Sequence, residues 1–369
     1  MRVLVAGVAG AVGRRVAGEF ARESGLERLV VTARSKEAAD RVASLLGSDR
    51  VAGEALDLRD AHRFVQLARD VDIVVCAAGP HYRFEIDAVR AAIDAGTHYI
   101  SLNDDQSATD RVTSLNDAAR DAGVTVISGC GISPGLTNLL VALAAREIDE
   151  VEEIDVALAA SSADTPGTGT QLHFFAQMSE PAAGISDHST QVVRAGTSPR
   201  LIYFPDPVGW VETFRSGHPE VSTLPAEYPG LGSLRYRVGL TERAAMDVVR
   251  ASAAAGLLRT ESGRVRMLKM ADPMRPIIEM LPPRGAPWTA ARIDVRGPSG
   301  GRLTTVSLAV VDHLANLATV PLVCGALQIA AGGVPTGVVV PERAFEAGSF
   351  LEKIASRGIR VARLDAARF

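Results

Sequence analysis

The run VLVAGVAGAVGRRVAGEF, Val3 to Phe20, constrains the fold more than any other stretch of the chain. A short apolar strand reaches Gly7, turns through Gly10 and Gly13, and enters a helix almost at once. Gly7 permits a tight turn, Gly10 lets a pyrophosphate approach the backbone, and Gly13 lets the helix pack closely on the strand. The phosphates of a dinucleotide would then sit at the helix N-terminus, where unpaired N–H groups and the helix dipole favour negative charge. The spacing i, i+3, i+6 is a variant of the usual G-x-G-x-x-G fingerprint. Its place between a strand and a helix predicts cofactor contacts from Gly7, Ala9, Gly10, Ala11, Val12 and Gly13.

From residue 1 to about 146, short apolar runs alternate with amphipathic segments. The runs are Val3–Ala6, Leu29–Thr32, Val51–Leu56, Asp72–Ala77, Thr97–Ser101 and Val124–Ile127; Ile86–Ala95 and Ala108–Ala122 are helical stretches between them. Several strands are apolar throughout, as a parallel sheet covered on both faces requires. The class is α/β, with an N-terminal doubly wound parallel sheet. The pattern then loosens through Ser161–Gly169 and Pro199–Gly232, and strand-like runs (Ile154–Ala160, Val192–Val193, Leu201–Phe204, Arg292–Arg296, Thr304–Val311) stand further apart. This predicts an inserted α+β domain over 147–312, for substrate binding or dimerisation. Residues 313–369, with an apolar helix over His313–Ala331 and a short one over Phe350–Arg357, would return to the first domain and complete it.

A chain of 369 residues is long enough for two domains, and its net charge of −4 gives no reason to expect nucleic acid or an anionic membrane as partner. Cys76, Cys130 and Cys324 are odd in number, far apart and without metal-ligand spacing. That usage predicts a reducing, cytoplasmic compartment and no metal. Arg14 and Arg15 interrupt the apolar start, which therefore does not read as a secretory leader, and no run has the length of a membrane span.

The second strand ends VVTARSKE. Arg34 can meet a 2′-phosphate there, Ser35 can donate to it, and no carboxylate precedes Glu37, so the turn predicts NADP(H) rather than NAD. Asp57, closing the third strand, can accept from the adenine amino group or cap a helix. After the fourth strand, Ala77, Ala78 and Gly79 are small enough for the nicotinamide ribose to approach, while Cys76 reads as a buried strand residue. His81 and Tyr82 follow at the mouth of the expected site, each able to donate a proton.

Beyond the fifth strand, Asn103, Asp104 and Asp105 project where open α/β sheets bind ligands. One aspartate would meet a substrate nitrogen and the other cap the helix starting near Ala108, with Ser107 a further cap. In SGCGISPGLTNLL, Gly129, Gly131 and Gly135 leave open space for cofactor or substrate, Ser133 is the expected N-cap with Pro134 at the first helical position, and Asn138 is a structural hydrogen-bonding residue or faces the site. Arg194 or Arg215 can clamp a substrate carboxylate, and His218 in the SGHPE loop reads as a surface histidine.

Three segments together resemble the saccharopine dehydrogenase-like family of NADP-dependent reductases: the glycine turn, AAGPHYRFEIDAVRAAIDAGTHYISLNDD (Ala77–Asp105) and AGVTVISGCGISPGLTNLLVA (Ala122–Ala142). Gly337–Phe345 near the end is also similar. The chain departs from the family's Y-V-D pattern in reading Tyr99-Ile100-Ser101. The resemblance implies a Rossmann domain with an inserted α+β domain, a homodimer, and hydride transfer between NADP(H) and a carbon–nitrogen bond of an amine-derived substrate. On that reading the chain reduces an imine, with Asp104, His81 or Tyr82 keeping the substrate nitrogen protonated. Two other functions fit the same residues: reduction of a carbonyl or enoyl bond, and a non-catalytic NADP-sensing regulator.

Overall fold

The computed structural model describes residues 1–164, 167–280 and 287–364, with the side chains of 271, 272 and 274–279 left aside. Parts of the Ser161–Gly169 stretch and the last five residues lie outside that description. The chain divides into two compact units, Met1–Leu136 with Ala318–Glu346, and Thr137–Leu317 with Ala347–Phe369.

The first unit is built on a parallel sheet of seven strands: β1 (Arg2–Ala6), β2 (Arg28–Ala33), β3 (Val51–Ala55), β4 (Ile73–Cys76), β5 (His98–Ser101), β6 (Thr125–Ile127) and, far along the chain, β15 (Gly337–Val338). The order β15-β6-β5-β4-β1-β2-β3 reverses direction between β1 and β4, which is where doubly wound sheets bind ligands. Val3, Leu4, Val5, Ile73, Val74 and Val75 are all fully buried. Continuous apolar sequence in these strands thus has the expected cause, helices on both faces. Those helices are α1 (Ala11–Ala21), α2 (Lys36–Leu46), α3 (Ala61–Ala68), α4 (His81–Ala95), α5 (Gln106–Thr113) and α6 (Asn116–Asp121). The single helix expected over Ala108–Ala122 is therefore two, parted at Ser114 and Leu115. From Ala318, the helix Leu314–Ala330 packs so closely on the sheet that a Cβ on Gly325 would stand 2.7 Å from Ile100 Cδ1 and 3.2 Å from Cys130 Sγ.

The second unit carries a mixed sheet of β7 (Glu153–Ala160), β8 (Pro181–Ser186), β9 (Ser189–Arg194), β10 (Arg200–Phe204), β11 (Gly209–Arg215), β12 (Ser233–Leu240), β13 (Thr289–Ser299), β14 (Arg302–Asp312) and β16 (Val361–Leu364). Its main path runs β10-β11-β12-β7-β13-β14-β16, with the β8–β9 hairpin attached to β12. Only β12 and β7 run parallel; the remaining pairs are antiparallel. The sequence reading sent all of 313–369 back to the first domain. In the structure the piece from Ala347 lies in the second unit, because β16 adds to the edge strand β14 through Ser307–Leu364 to Val310–Val361. Among the described residues, no helix is long and apolar enough to cross a membrane.

Candidate cofactor and proton-transfer site

The glycine turn closes as its spacing predicts, and each glycine is used differently. Gly7 has φ +94°, and a Cβ there would lie 2.8 Å from the Cβ of Ala78 and 2.9 Å from its backbone nitrogen. A Cβ on Gly13 would collide with the carbonyl oxygen of Gly7 and stand 2.7 Å from its carbon, so α1 can reach β1 only over hydrogen. Gly10 is the N-cap of α1 with ordinary φ of −79°, and a Cβ there would meet nothing nearer than 3.5 Å. Among the described residues nothing demands glycine at Gly10, and the Ala9-Gly10-Ala11 stretch is exposed at the helix N-terminus. Val12 is half-buried behind it.

At the neighbouring strand ends, Arg34 is exposed, and among the described residues its guanidinium has no hydrogen-bond or ion-pair partner. Ser35 caps α2, its hydroxyl accepting from the amide of Ala38 at 3.3 Å, and Lys36 is tied to Asp40 at 2.5 Å. Asp57 does not cap α3; Asp60 does. Asp57 instead accepts from Arg59 Nη2 at 2.6 Å and Nε at 3.0 Å. Hydrogen bonds from Arg59, with the charge of Arg34 adding to them, pull its carboxyl down to about 2. Arg59 and Arg34 thus both act on Asp57, and the sequence does not single out Arg59, two positions after it.

Behind the Ala77–Gly79 turn lies a buried polar network that sequence patterning passed over. Glu85, one turn into α4 and 1% exposed, accepts from Ser101 Oγ at 2.5 Å, Ser128 Oγ at 2.8 Å and Tyr99 Oη at 3.0 Å, and pairs with His81 Nδ1 at 3.0 Å. Burial opposes charge on both partners. The hydrogen bond and mutual attraction outweigh it, holding the Glu85 carboxyl below its ordinary range and raising His81, to which Asp104 and Asp105 also contribute. His81 is therefore not at an open mouth as expected: it is 6% exposed and faces inward to Glu85. Its i,i+4 spacing to Glu85 on a helix was the legible signal. Tyr82 is half-buried, with the guanidinium of Arg83 5.8 Å from its ring centroid.

The two aspartates separate cleanly. Asp105 is the N-cap of α5, accepting from the amide of Ala108 at 2.8 Å and from Ser107 Oγ at 2.7 Å. Asp104 remains, half-buried and electrostatically coupled to His81. Asn103 is fully buried, donating to Thr109 Oγ1 at 2.8 Å and Ser128 Oγ at 3.0 Å while accepting from the Asp105 amide. Its side chain orders the loop from within.

The next loop corrects one expectation. Ser133 is not an N-cap and Pro134 is not a first helical residue, because α7 (Leu136–Ala145) starts two residues later. A turn precedes it, in which the Gly131 amide donates to the carbonyl of Pro134 and the Leu136 amide to that of Gly131. Ser133 is half-buried in that turn. Cys76 is buried, and burial pushes its thiol up to about 12, which makes it the inert strand residue expected.

In the second unit, His218 is not on the surface: it is 3% exposed, bonds Glu220 through Nδ1, and stacks on Tyr236 with ring centroids 4.1 Å apart. Glu220 also accepts from Thr137 Oγ1 at 2.7 Å, and Asn138 donates to Thr223 Oγ1 at 3.3 Å, so Asn138 is a structural hydrogen-bonding residue. Arg194 is exposed at the end of β9, and Arg215 is half-buried at the end of β11.

Residues 3–127 match the family described as the saccharopine dehydrogenase NADP binding domain. A curated relative, the carboxyaminopropylagmatine dehydrogenase of Synechocystis sp., is 27% identical over 164 residues; the match takes in 42% of this chain and 40% of that protein. The whole fold is similar to the solved structure of apo saccharopine dehydrogenase (L-Glu forming) from Saccharomyces cerevisiae, with a TM-score of 0.71, 14% identity, and 99% of this chain and 100% of that one covered. An amine dehydrogenase from Mycobacterium smegmatis is similar at TM-score 0.54 and 14% identity, covering 93% and 95% of the two chains.

Proposed function

We propose that the chain, whose residues 3–127 match the saccharopine dehydrogenase NADP binding domain, is an NADP(H)-dependent oxidoreductase of the saccharopine dehydrogenase-like family that reduces an imine to a secondary amine. The observation that supports the cofactor reading is the exposed Ala9-Gly10-Ala11 stretch at the N-terminus of α1, beside a turn where a Cβ on Gly7 or Gly13 would clash. The N-terminal amides of α1 would take the pyrophosphate and Arg34 the 2′-phosphate, with Ser35 and Arg59 beside it. Ala77, Ala78 and Gly79 would border the nicotinamide half. Bound there, NADPH supplies the hydride.

The chain's own contribution is the proton and its placement. Asp104, next to the helix-capping Asp105 and coupled to His81, would hold the substrate nitrogen in the protonated form, the better hydride acceptor. His81, whose charged form Glu85 favours, is a positioning residue electrostatically coupled to Asp104. Gly131 and Ser133 would border the substrate. Its partners are small amine-derived molecules, and we place the protein in the cytoplasm as a homodimer.

The names of two similar proteins, a carboxyaminopropylagmatine dehydrogenase and an amine dehydrogenase, favour carbon–nitrogen chemistry over carbonyl or enoyl reduction. The test is a panel of amines paired with 2-oxo acids and aldehydes, followed by NADPH absorbance. Oxidation that requires both members of a pair is the expected result. Oxidation by a carbonyl compound alone would replace the imine reading, and tight NADPH binding without turnover on any pair would favour a sensor.

A further inference from the structure

One face of the second unit's sheet collects arginines without enough carboxylates to match them. Arg215 on β11 stands directly opposite Arg237 on β12, and Arg235, two residues before Arg237, shares its face. Like charges placed directly across an antiparallel pair are destabilising unless something lies between them. The nearby acids are already engaged: Asp155 accepts from Arg200 at 3.0 Å and Arg235 at 3.2 Å, Glu153 lies 3.7 Å from Arg235 and 3.6 Å from Arg296, and Asp294 is held by Arg292 and Ser307.

Two guanidiniums are left over. Arg237 is 7% exposed; its Nη1 donates to the carbonyl of Ser198 at 2.6 Å, and its buried Nε has no hydrogen-bond partner. Arg215 is half-buried, its Nε is likewise without a partner, and among the described residues its side chain makes no hydrogen bond or ion pair. The fold makes room for Arg215: a Cβ on Gly184 of β8 would collide with its Nη2 and stand 2.8 Å from the carbonyl oxygen of Leu234. Burial and the other guanidiniums lower both groups, Arg237 down to about 10, so the cluster carries uncompensated positive charge.

We propose that Arg215 and Arg237, with Arg235 beside them, form a binding site for a small oxyanion, a carboxylate or phosphate group of a ligand. Two opposed guanidinium forks on adjacent strands can each give N–H bonds to one such group. The site goes beyond the proposed function and does not rest on it. Arg194, exposed at the end of β9, takes no part.

Thermal melting of the cofactor-free protein, titrated with glutarate, with inorganic phosphate, or with sodium chloride at equal ionic strength, tests it. A saturating rise of about 2–4 °C with glutarate or phosphate and none with chloride is expected. Glutarate acting alone would identify a carboxylate site, and phosphate acting alone a phosphate site. Arg215→Gln removes the rise while melting no lower than wild type in chloride, since it relieves the opposition to Arg237. A wild-type protein indifferent to both anions, or a rise that survives Arg215→Gln, overturns the site. So does a dimer that Arg215→Gln dissociates in sedimentation while anions have no effect, because the counter-charge would then come from a second copy. NADPH titration of the same samples keeps the two readings apart: anion binding can fail with cofactor binding intact, and the reverse.

Discussion

Replacing Glu85 by leucine is expected to lower folding stability by about 3–5 kcal/mol, the range for removing one partner of a buried ion pair. Leucine fills much of the volume but leaves Tyr99, Ser101, Ser128 and His81 facing an apolar group, and each buried donor without an acceptor adds to the loss. Glu85→Gln keeps an acceptor, and the three hydroxyls can rotate to suit it, so a smaller loss of about 1–2 kcal/mol is expected. The two variants also separate by pH. Glu85 has a depressed carboxyl in the folded protein, so its stabilisation is complete above its unfolded value of about 4.3 and is lost as pH falls through the folded one. His81 is raised, so its share is complete below about 6.5 and is lost as pH rises through its folded value. The pair therefore stabilises most between those limits. Urea midpoints measured across pH should show wild type losing stability on both sides of the window and Glu85→Gln losing less on each. Identical profiles for the two proteins would mean that the pair is not ionised.

Gly13→Ala is the second large effect. The added methyl meets only backbone, the carbonyl of Gly7 and the Cα of Val8 at 3.1 Å, so no side chain can swing aside and α1 must retreat from β1. Overpacking of this kind costs about 1–3 kcal/mol, and displacing the helix N-terminus by the same event should weaken NADPH binding by roughly tenfold or more. Gly10→Ala is the informative companion. Its methyl would make only ordinary contact with the Gly7 carbonyl oxygen at 3.5 Å, so stability should change by less than about 1 kcal/mol while NADPH binding is still lost. Retained binding in Gly10→Ala would move the pyrophosphate away from this turn.

The first domain was legible because its elements are written locally. Six strand segments were placed within a residue or two, since a parallel sheet covered on both faces prints continuous apolar runs, and the glycine turn is fixed by contacts three and six residues apart. The second unit was legible only in part: the runs Ile154–Ala160, Val192–Val193, Leu201–Phe204, Arg292–Arg296 and Thr304–Val311 fall on β7, β9, β10, β13 and β14, whereas β8, β11, β12 and β16 carry no such mark. β8, β11 and β12 mix arginine, glycine and serine with apolar residues on a half-exposed sheet, so neither alternation nor a continuous run marks them. The edge strand β16 is defined by its pairing with β14, a contact some fifty residues distant that no local pattern encodes. At the site, the division of labour between Asp104 and Asp105 required knowing where α5 begins. His218 reads as a surface residue from its loop sequence, whereas its ring stacks on Tyr236, in β12.

The central claim is that the turn at Gly7–Gly13 and the arginine after β2 together hold NADP(H). Equilibrium titration of the wild-type protein and Arg34→Asp with NADPH and NADH, read by nicotinamide fluorescence, tests it most directly. Wild type should bind NADPH at least about tenfold more tightly than NADH, a difference of roughly 1.4 kcal/mol, and Arg34→Asp should erase that preference by weakening NADPH alone. Equal affinities in wild type, equal losses in the variant, or no binding of either dinucleotide would contradict the account.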